Sequence, residues 1–236
     1  MIFSSIFIPN SLHANNIQKN WYILKANQKK LGYYHETVEQ RDGKLYFRYR
    51  LKKFESGSVY TENYGAIAQH DLTPITFNLT KSAQAALDIT DASFRIENNN
   101  GVFDIRVSGA RNTTITRQVS KETILDVFFP LWISKNWTTL ENKRPATVRT
   151  FIEDQDTSSY RTQQVMVRMQ ELNPNLNCTN FAVEIDGRVR GTWCMQRNGV
   201  LVEFVIVNSA NRSTFTVQRV PSESIAKQGL PSDETP

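Results

Sequence analysis

Few residues in this 236-residue chain are of a type and spacing to do chemistry: two cysteines, three histidines and dispersed carboxylates. Cys178 and Cys194 flank Ile185-Asp186-Gly187, which reads as a three-residue hairpin loop with Gly187 left-handed. Glu184 then faces Arg188, and counting outward sets Cys178 opposite Cys194. Opposed residues on antiparallel strands have Cα atoms about 4.5–5.5 Å apart, a span a disulfide accepts. The register puts the pair on the polar face with Glu184 and Arg188, which favours a bridge in an oxidising compartment over a buried thiol, a nucleophile or a metal pair.

The histidines are less suggestive. His13 falls in the leading apolar segment, and His35 is placed across from Arg50 with no second histidine at helical spacing, so there is no zincin motif. His70-Asp71 supplies two parts of a triad without a nucleophile elbow. Asp154 and Asp156 form a lone D-x-D of the turn type, and no glycine-rich phosphate loop occurs. The sequence therefore nominates no catalytic, metal or cofactor residues. A hydrolase using His35 or His70 stands as the rival reading.

Aromatics make up 11% of the residues, glycines number only 10, and the net charge is +5. Basic residues are interspersed with acidic ones, as in Arg48, Arg50, Lys52, Lys53 and Glu55, which reads as a solvated mixed-charge surface and excludes a nucleic-acid partner. Residues 1–14, MIFSSIFIPNSLHA, carry an apolar run and end in Ala14, like the back half of a secretory signal peptide. No other run approaches the ~18 apolar residues of a membrane-spanning helix.

The elements that must position these residues are strands. Asp42-Gly43 is a two-residue hairpin turn that pairs Val38 with Phe47, Glu36 with Tyr49, Tyr34 with Leu51 and His35 with Arg50. Leu45, Phe47, Tyr49 and Leu51 alternate with Tyr46, Arg48, Arg50 and Lys52, the period of a half-buried strand. Asn100-Gly101 pairs Ile96 with Ile105, and Asn198-Gly199 pairs Trp193 with Phe204 and Met195 with Val202. With these, Phe181, Val183 and Val189 share one apolar face.

Elsewhere, 15–20 reads as a linker, 58–69 as a strand, and 70–86 as irregular with a helical piece near Ser82. In 121–137, Ser120 caps a short helix that Pro130 stops, a segment suited to plugging the sheet. The polar tail 221–236 is expected to be disordered. The fold class is all-β: a strongly curved antiparallel sheet or open half-barrel of about a dozen strands, with one or two short helices, over residues 15–220 as a single domain.

Two stretches carry a family resemblance. WYILKANQKKLGYYHETVEQ resembles the opening hairpin of secreted bacterial half-barrel domains found in front of transglutaminase-like domains and in an uncharacterised periplasmic family. FAVEIDGRVRGTWCMQRNGVLVEFVIV resembles that group's last meander. Departures are Ala26-Asn27 where a glycine is usual, and the two cysteines. The resemblance implies a curved sheet like that of the lipoprotein-carrier half-barrels, export to the periplasm or beyond, and no catalytic residues.

An open barrel has a concave face that must be filled by a plug, a partner or a ligand. The expected groove is lined by Trp21, Tyr34, Phe47, Tyr49, Phe128, Phe129, Trp132, Trp193 and Phe204. The expectation is a non-enzymatic, periplasmic or secreted binding protein. It would hold an acyl chain or lipid in that groove, or an envelope protein along a sheet edge. A purely structural envelope component is the further alternative.

Overall fold

The computed structural model describes residues 16–231, apart from 56, 85–88, 109–112, 119, 121, 155–158, 186–187 and 209–212. The leading segment 1–14, read as a signal peptide, lies outside the described residues. Among the described residues, fifteen strands form one sheet. The first group is β1 (Asn16–Ala26), β2 (Lys29–Arg41), β3 (Lys44–Glu55), β4 (Ser58–Gln69) and β5 (Pro74–Gln84). It continues through β6 (Ile89–Asn99), β7 (Val102–Ser108) and β8 (Thr113–Gln118). The second group is β9 (Thr123–Leu125), β10 (Ala146–Asp154), β11 (Ser159–Asn173), β12 (Cys178–Ile185), β13 (Arg188–Met195), β14 (Leu201–Asn208) and β15 (Ser213–Val220). Helices α1 (Phe129–Lys135) and α2 (Trp137–Glu141) follow β9 and a single 3-10 turn, and α3 (Glu223–Lys227) follows β15.

The two groups meet at the middle of the sheet, where β1 pairs with β15, so the first and last strands hold the halves together. The outermost strands are β8 and β9, which four residues connect. A linker of that length spans at most about 17 Å. The sheet must therefore curl enough to bring the end of β8 within that distance of the start of β9, although it does not close. Among the described residues every strand pairing is antiparallel except β9 with β10.

The hairpin registers read from Asp42-Gly43 and Asn100-Gly101 hold: Glu36 faces Tyr49, Tyr34 faces Leu51 and Ile96 faces Ile105. Both turns have positive φ at both central residues, the mirror-image turn that matches strand twist. Asn27 and Gln28 do the same between β1 and β2 without a glycine, leaving Ala26 opposite Lys29.

Several expectations are corrected. Of the stretch 15–20 read as a linker, 16–20 is the start of β1, and 74–84 is strand β5 rather than an irregular or helical piece. Pro130 does not stop a helix; it occupies the first turn of α1, where its missing N–H goes unneeded. The tail at 221–231 is not frayed, because Ser222 caps α3 through a hydrogen bond from the Ile225 amide. Ala226 is buried there against Ile23 and Tyr33, and Lys30 Nζ donates to the Ile225 and Gln228 carbonyls at 3.1 and 2.6 Å.

The β12–β13 register is also corrected. Ile185 faces Arg188, so only two residues separate the strands, and a bulge beside Val183 adds a second one-residue slip. Asn180, not Cys178, lies across from Cys194. Two single slips sum to an even shift, which leaves side chains on the same face. The cysteines therefore still bond, diagonally, with Cα atoms 5.5 Å apart. Val189 lies between the slips, so it is turned out of the apolar face and is 68% exposed. The bridge itself is buried rather than set on a polar surface. In the next hairpin Trp193 faces Phe204 as expected, whereas a bulge pairs Met195 with Leu201.

The bridge closes a loop with a sequence separation of 16. Replacing both cysteines, C178S/C194S, is expected to lower the free energy of unfolding in urea by about 3 kcal/mol. An unchanged midpoint would show that the bridge adds no stability.

Candidate apolar cleft in the concave face

Alternation on β1 to β5 turns Tyr22, Tyr34, Tyr49, Tyr64 and Phe77 to the inside, one from each successive strand. Their rings form a ladder: Tyr22 stacks on Tyr34 at 4.4 Å, Tyr49 on Tyr64 at 5.2 Å and Tyr64 on Phe77 at 5.3 Å. Each such pair adds about 0.5–1.5 kcal/mol beyond area burial. The segment 126–141 lies over this surface. Phe128 packs edge-on against Phe47, Phe129 against Trp193, and Trp137 against Phe181, joining both halves of the sheet in one core.

The C-terminal end of α1 is tied down. Ser134 Oγ donates to the Arg197 carbonyl at 2.5 Å, and Lys135 Nζ donates to the His70 carbonyl. Gly199, at φ +84°, lets the β13–β14 turn come against Leu131; a Cβ there would sit 3.0 Å from the leucine side chain.

This plug fills the concavity incompletely. A cleft of about 160 Å³ remains between β2–β3, β13–β14 and the entry to α1. Its walls are Tyr34, Phe47, Tyr49, Leu51, Val127, Pro130, Trp193 and Leu201, with Glu36 and Asp126 the acidic residues among them.

Of the residues expected to line a groove, Tyr34, Phe47, Tyr49 and Trp193 do so. Phe128 and Phe129 are buried in the plug, Trp132 stacks on Phe129 at 5.9 Å, and Phe204 backs Trp193 at 4.8 Å. Trp21 is on the other side of the sheet, beside Tyr33 and α3, because it neighbours the inward Asn20 and Tyr22.

Glu36 is the polar member that residue-type reasoning passed over. Its Oε1 accepts hydrogen bonds from Tyr22 Oη at 2.8 Å and Asn20 Nδ2 at 2.9 Å. The Asn20 Oδ1 is buried without a hydrogen-bond partner among the described residues. Burial raises the Glu36 pKa, against the opposing pull of the two hydrogen bonds and of Arg219. The signal for this residue was available in the sequence: its partner across the Asp42-Gly43 hairpin is Tyr49, on the apolar side.

The histidines do not join this site or each other. His35 lies on the convex face, its ring 4.5 Å from that of Trp21, and burial lowers its pKa, with Lys19 adding to the effect and Glu223 opposing it. His70 Nδ1 is 3.2 Å from Gln40 Nε2 at the β4–β5 turn. Among the described residues no cluster of three His, Cys, Asp or Glu side chains forms a metal-holding group. No helix among them is long and apolar enough to cross a membrane.

No protein-family model matches the chain, and no curated protein matches it by sequence. By structure it is similar to a beta-barrel-like protein of the domain of unknown function DUF1849 from Brucella abortus. That match has a TM-score of 0.60 and 10% identity over 86% of this chain and 95% of that one. It is also similar, at a TM-score of 0.45 and 10% identity over 72% of this chain and 87% of the other, to a DUF1089 family protein from Pseudomonas aeruginosa. The first likeness defines the class of fold, a large, curled, mostly antiparallel sheet of the beta-barrel-like kind seen in that protein. At such identity it says nothing of activity. The buried disulfide is of the kind kept in oxidising, extracytoplasmic compartments.

A raised carboxyl pKa has a definite consequence for stability. Between the ordinary value of about 4.5 and its folded pKa, folded Glu36 holds more proton than the unfolded chain does. Its contribution is therefore complete below pH 4.5 and is lost as pH rises through the folded value. Urea midpoints taken from about pH 4 to about pH 8 are expected to fall further for the wild type than for Glu36→Gln. Parallel curves for the two proteins would contradict the assignment.

Proposed function

We propose that this chain is an exported, non-enzymatic binding module of the bacterial envelope, holding an apolar group in the cleft between the plug and the concave face. The observation that carries the reading is the cleft itself, an apolar recess left open beneath aromatic walls at the edge of the core. Its ~160 Å³ compares with the ~150 Å³ cavity that accommodates benzene. It therefore takes a ring or the end of an acyl chain, and the rest of a longer chain lies across the mouth. The resemblance to secreted half-barrel domains and lipoprotein carriers supports the same reading, as does the bridge for the periplasm or another oxidising compartment. A second reading, a partner adding a strand at the sheet edge, draws on β8, which ends the sheet order.

The neutral fluorophore N-phenyl-1-naphthylamine tests the cleft. The wild type is expected to bind it with enhanced, blue-shifted emission. Leu51→Trp, which fills the cleft, is expected to weaken binding about tenfold or more at an unchanged melting temperature. Equal binding by both proteins would place the probe elsewhere and overturn the proposal.

A further inference from the structure

The alternation that sends Phe47, Tyr49 and Leu51 into the core sends Arg48, Arg50 and Lys52 to the convex face. Side chains on one face of a strand recur about every 6.7 Å, so these cations form a straight row about 13 Å long. Charges that look mixed along the sequence are thus sorted by the pleat. Arg48 and Arg50 are exposed, and neither has an ion-pair partner among the described residues.

The row lies along a trough. One recess, about 530 Å³, is lined by Arg48 and Arg50 with Thr37, Asn63, Asn78 and Thr80. A second, about 420 Å³, is lined by Arg50 and Lys52 with Trp21, Tyr33, Lys227 and Glu223. They share His35 and Arg50, so they run into one another. The floor is open at Gly65, where a Cβ would meet nothing within 4 Å. Glu223 is the one acidic residue lining either recess, and it is paired with Lys227 at 3.0 Å.

We propose that this convex trough binds a linear acidic polysaccharide along β3, with Arg48, Arg50 and Lys52 meeting successive anionic groups. The neutral threonine and asparagine side chains beside the arginines supply donors and acceptors suited to sugar hydroxyls. A single-stranded nucleic acid would need stacking rings along the row. The aromatic side chains of the trough sit at one end only, where Trp21 is 6.3 Å from Tyr33 and 4.5 Å from His35; the rings of Tyr49 and Tyr64 belong to the inner ladder. The site is separate from the apolar cleft, which occupies the opposite face.

The test measures binding of a dextran sulfate oligosaccharide to the full, oxidised chain across a range of salt concentrations. The wild type should bind it and ignore uncharged dextran of equal length. R48Q/R50Q should weaken binding about tenfold or more and reduce the slope of log K against log salt by about two, one for each cation removed. K143Q/R144Q, which makes the same charge change at exposed positions between α2 and β10, should stay within about twofold of wild type. R48Q/R50Q should still bind the naphthylamine probe, so that failure at one site leaves the other standing. Equal losses in the two double variants would reduce the effect to net charge and overturn the proposal. So would a single-stranded oligodeoxynucleotide of the same charge that binds as tightly with the same arginine dependence.

Discussion

The structure depends on burying the concave face of a curled sheet. A sheet of fifteen strands whose terminal members are joined by four residues encloses more apolar surface than its own side chains can fill. The segment 126–141 supplies the missing volume. Phe128, Ile133 and Leu140 are fully buried, and they join Phe47 and Leu45 on one side to Phe181, Val183 and Met195 on the other. At about 25 cal/mol per Å² of apolar surface, this contact outweighs any polar interaction described in the molecule. Removing the plug would expose the aromatic ladder on one half and the closing meander on the other, so the curvature and the plug stabilise one another.

Smaller features make sense as supports for that contact. The β13–β14 turn is held against α1 through Ser134 and Gly199, and the β4–β5 turn through Lys135, so the plug is fixed at both rims. The disulfide stiffens the adjoining hairpin, and the pairing of β1 with β15 makes the two halves one sheet. What the plug does not fill becomes the cleft. The buried carboxyl at its wall, Glu36, is tolerated because Tyr22 and Asn20 satisfy one of its oxygens.

Much of this was legible in the sequence, and the reasons for the exceptions are physical. Turns with Asp-Gly and Asn-Gly fix register through backbone conformation alone, which is why the pairs around Asp42-Gly43 and Asn100-Gly101 came out correctly. Bulges leave no such mark. The slip beside Val183 and the one beside Met195 respond to packing across strands, so Val189 and the partner of Met195 were misplaced. Pro130 shows the ambiguity of proline, which ends one helix and begins the next with equal ease. The partner of α3 is a patch formed by β1 and β2, nearly two hundred residues earlier in the chain, and local composition could not announce it. Trp21 failed as a groove residue because its parity was set by a β1–β2 register that an Asn-Gln turn left ambiguous. The sorting of Arg48, Arg50 and Lys52 onto one face was implicit in the same alternation that identified the core.

Whether the cleft has an occupant is decided most directly by native mass spectrometry of the intact, oxidised chain recovered from the compartment in which it accumulates. The account predicts a non-covalent adduct that extraction with organic solvent removes, leaving the bare chain with its single bridge. A bare mass before extraction, in preparations gentle enough to keep a known lipid complex together, would contradict it.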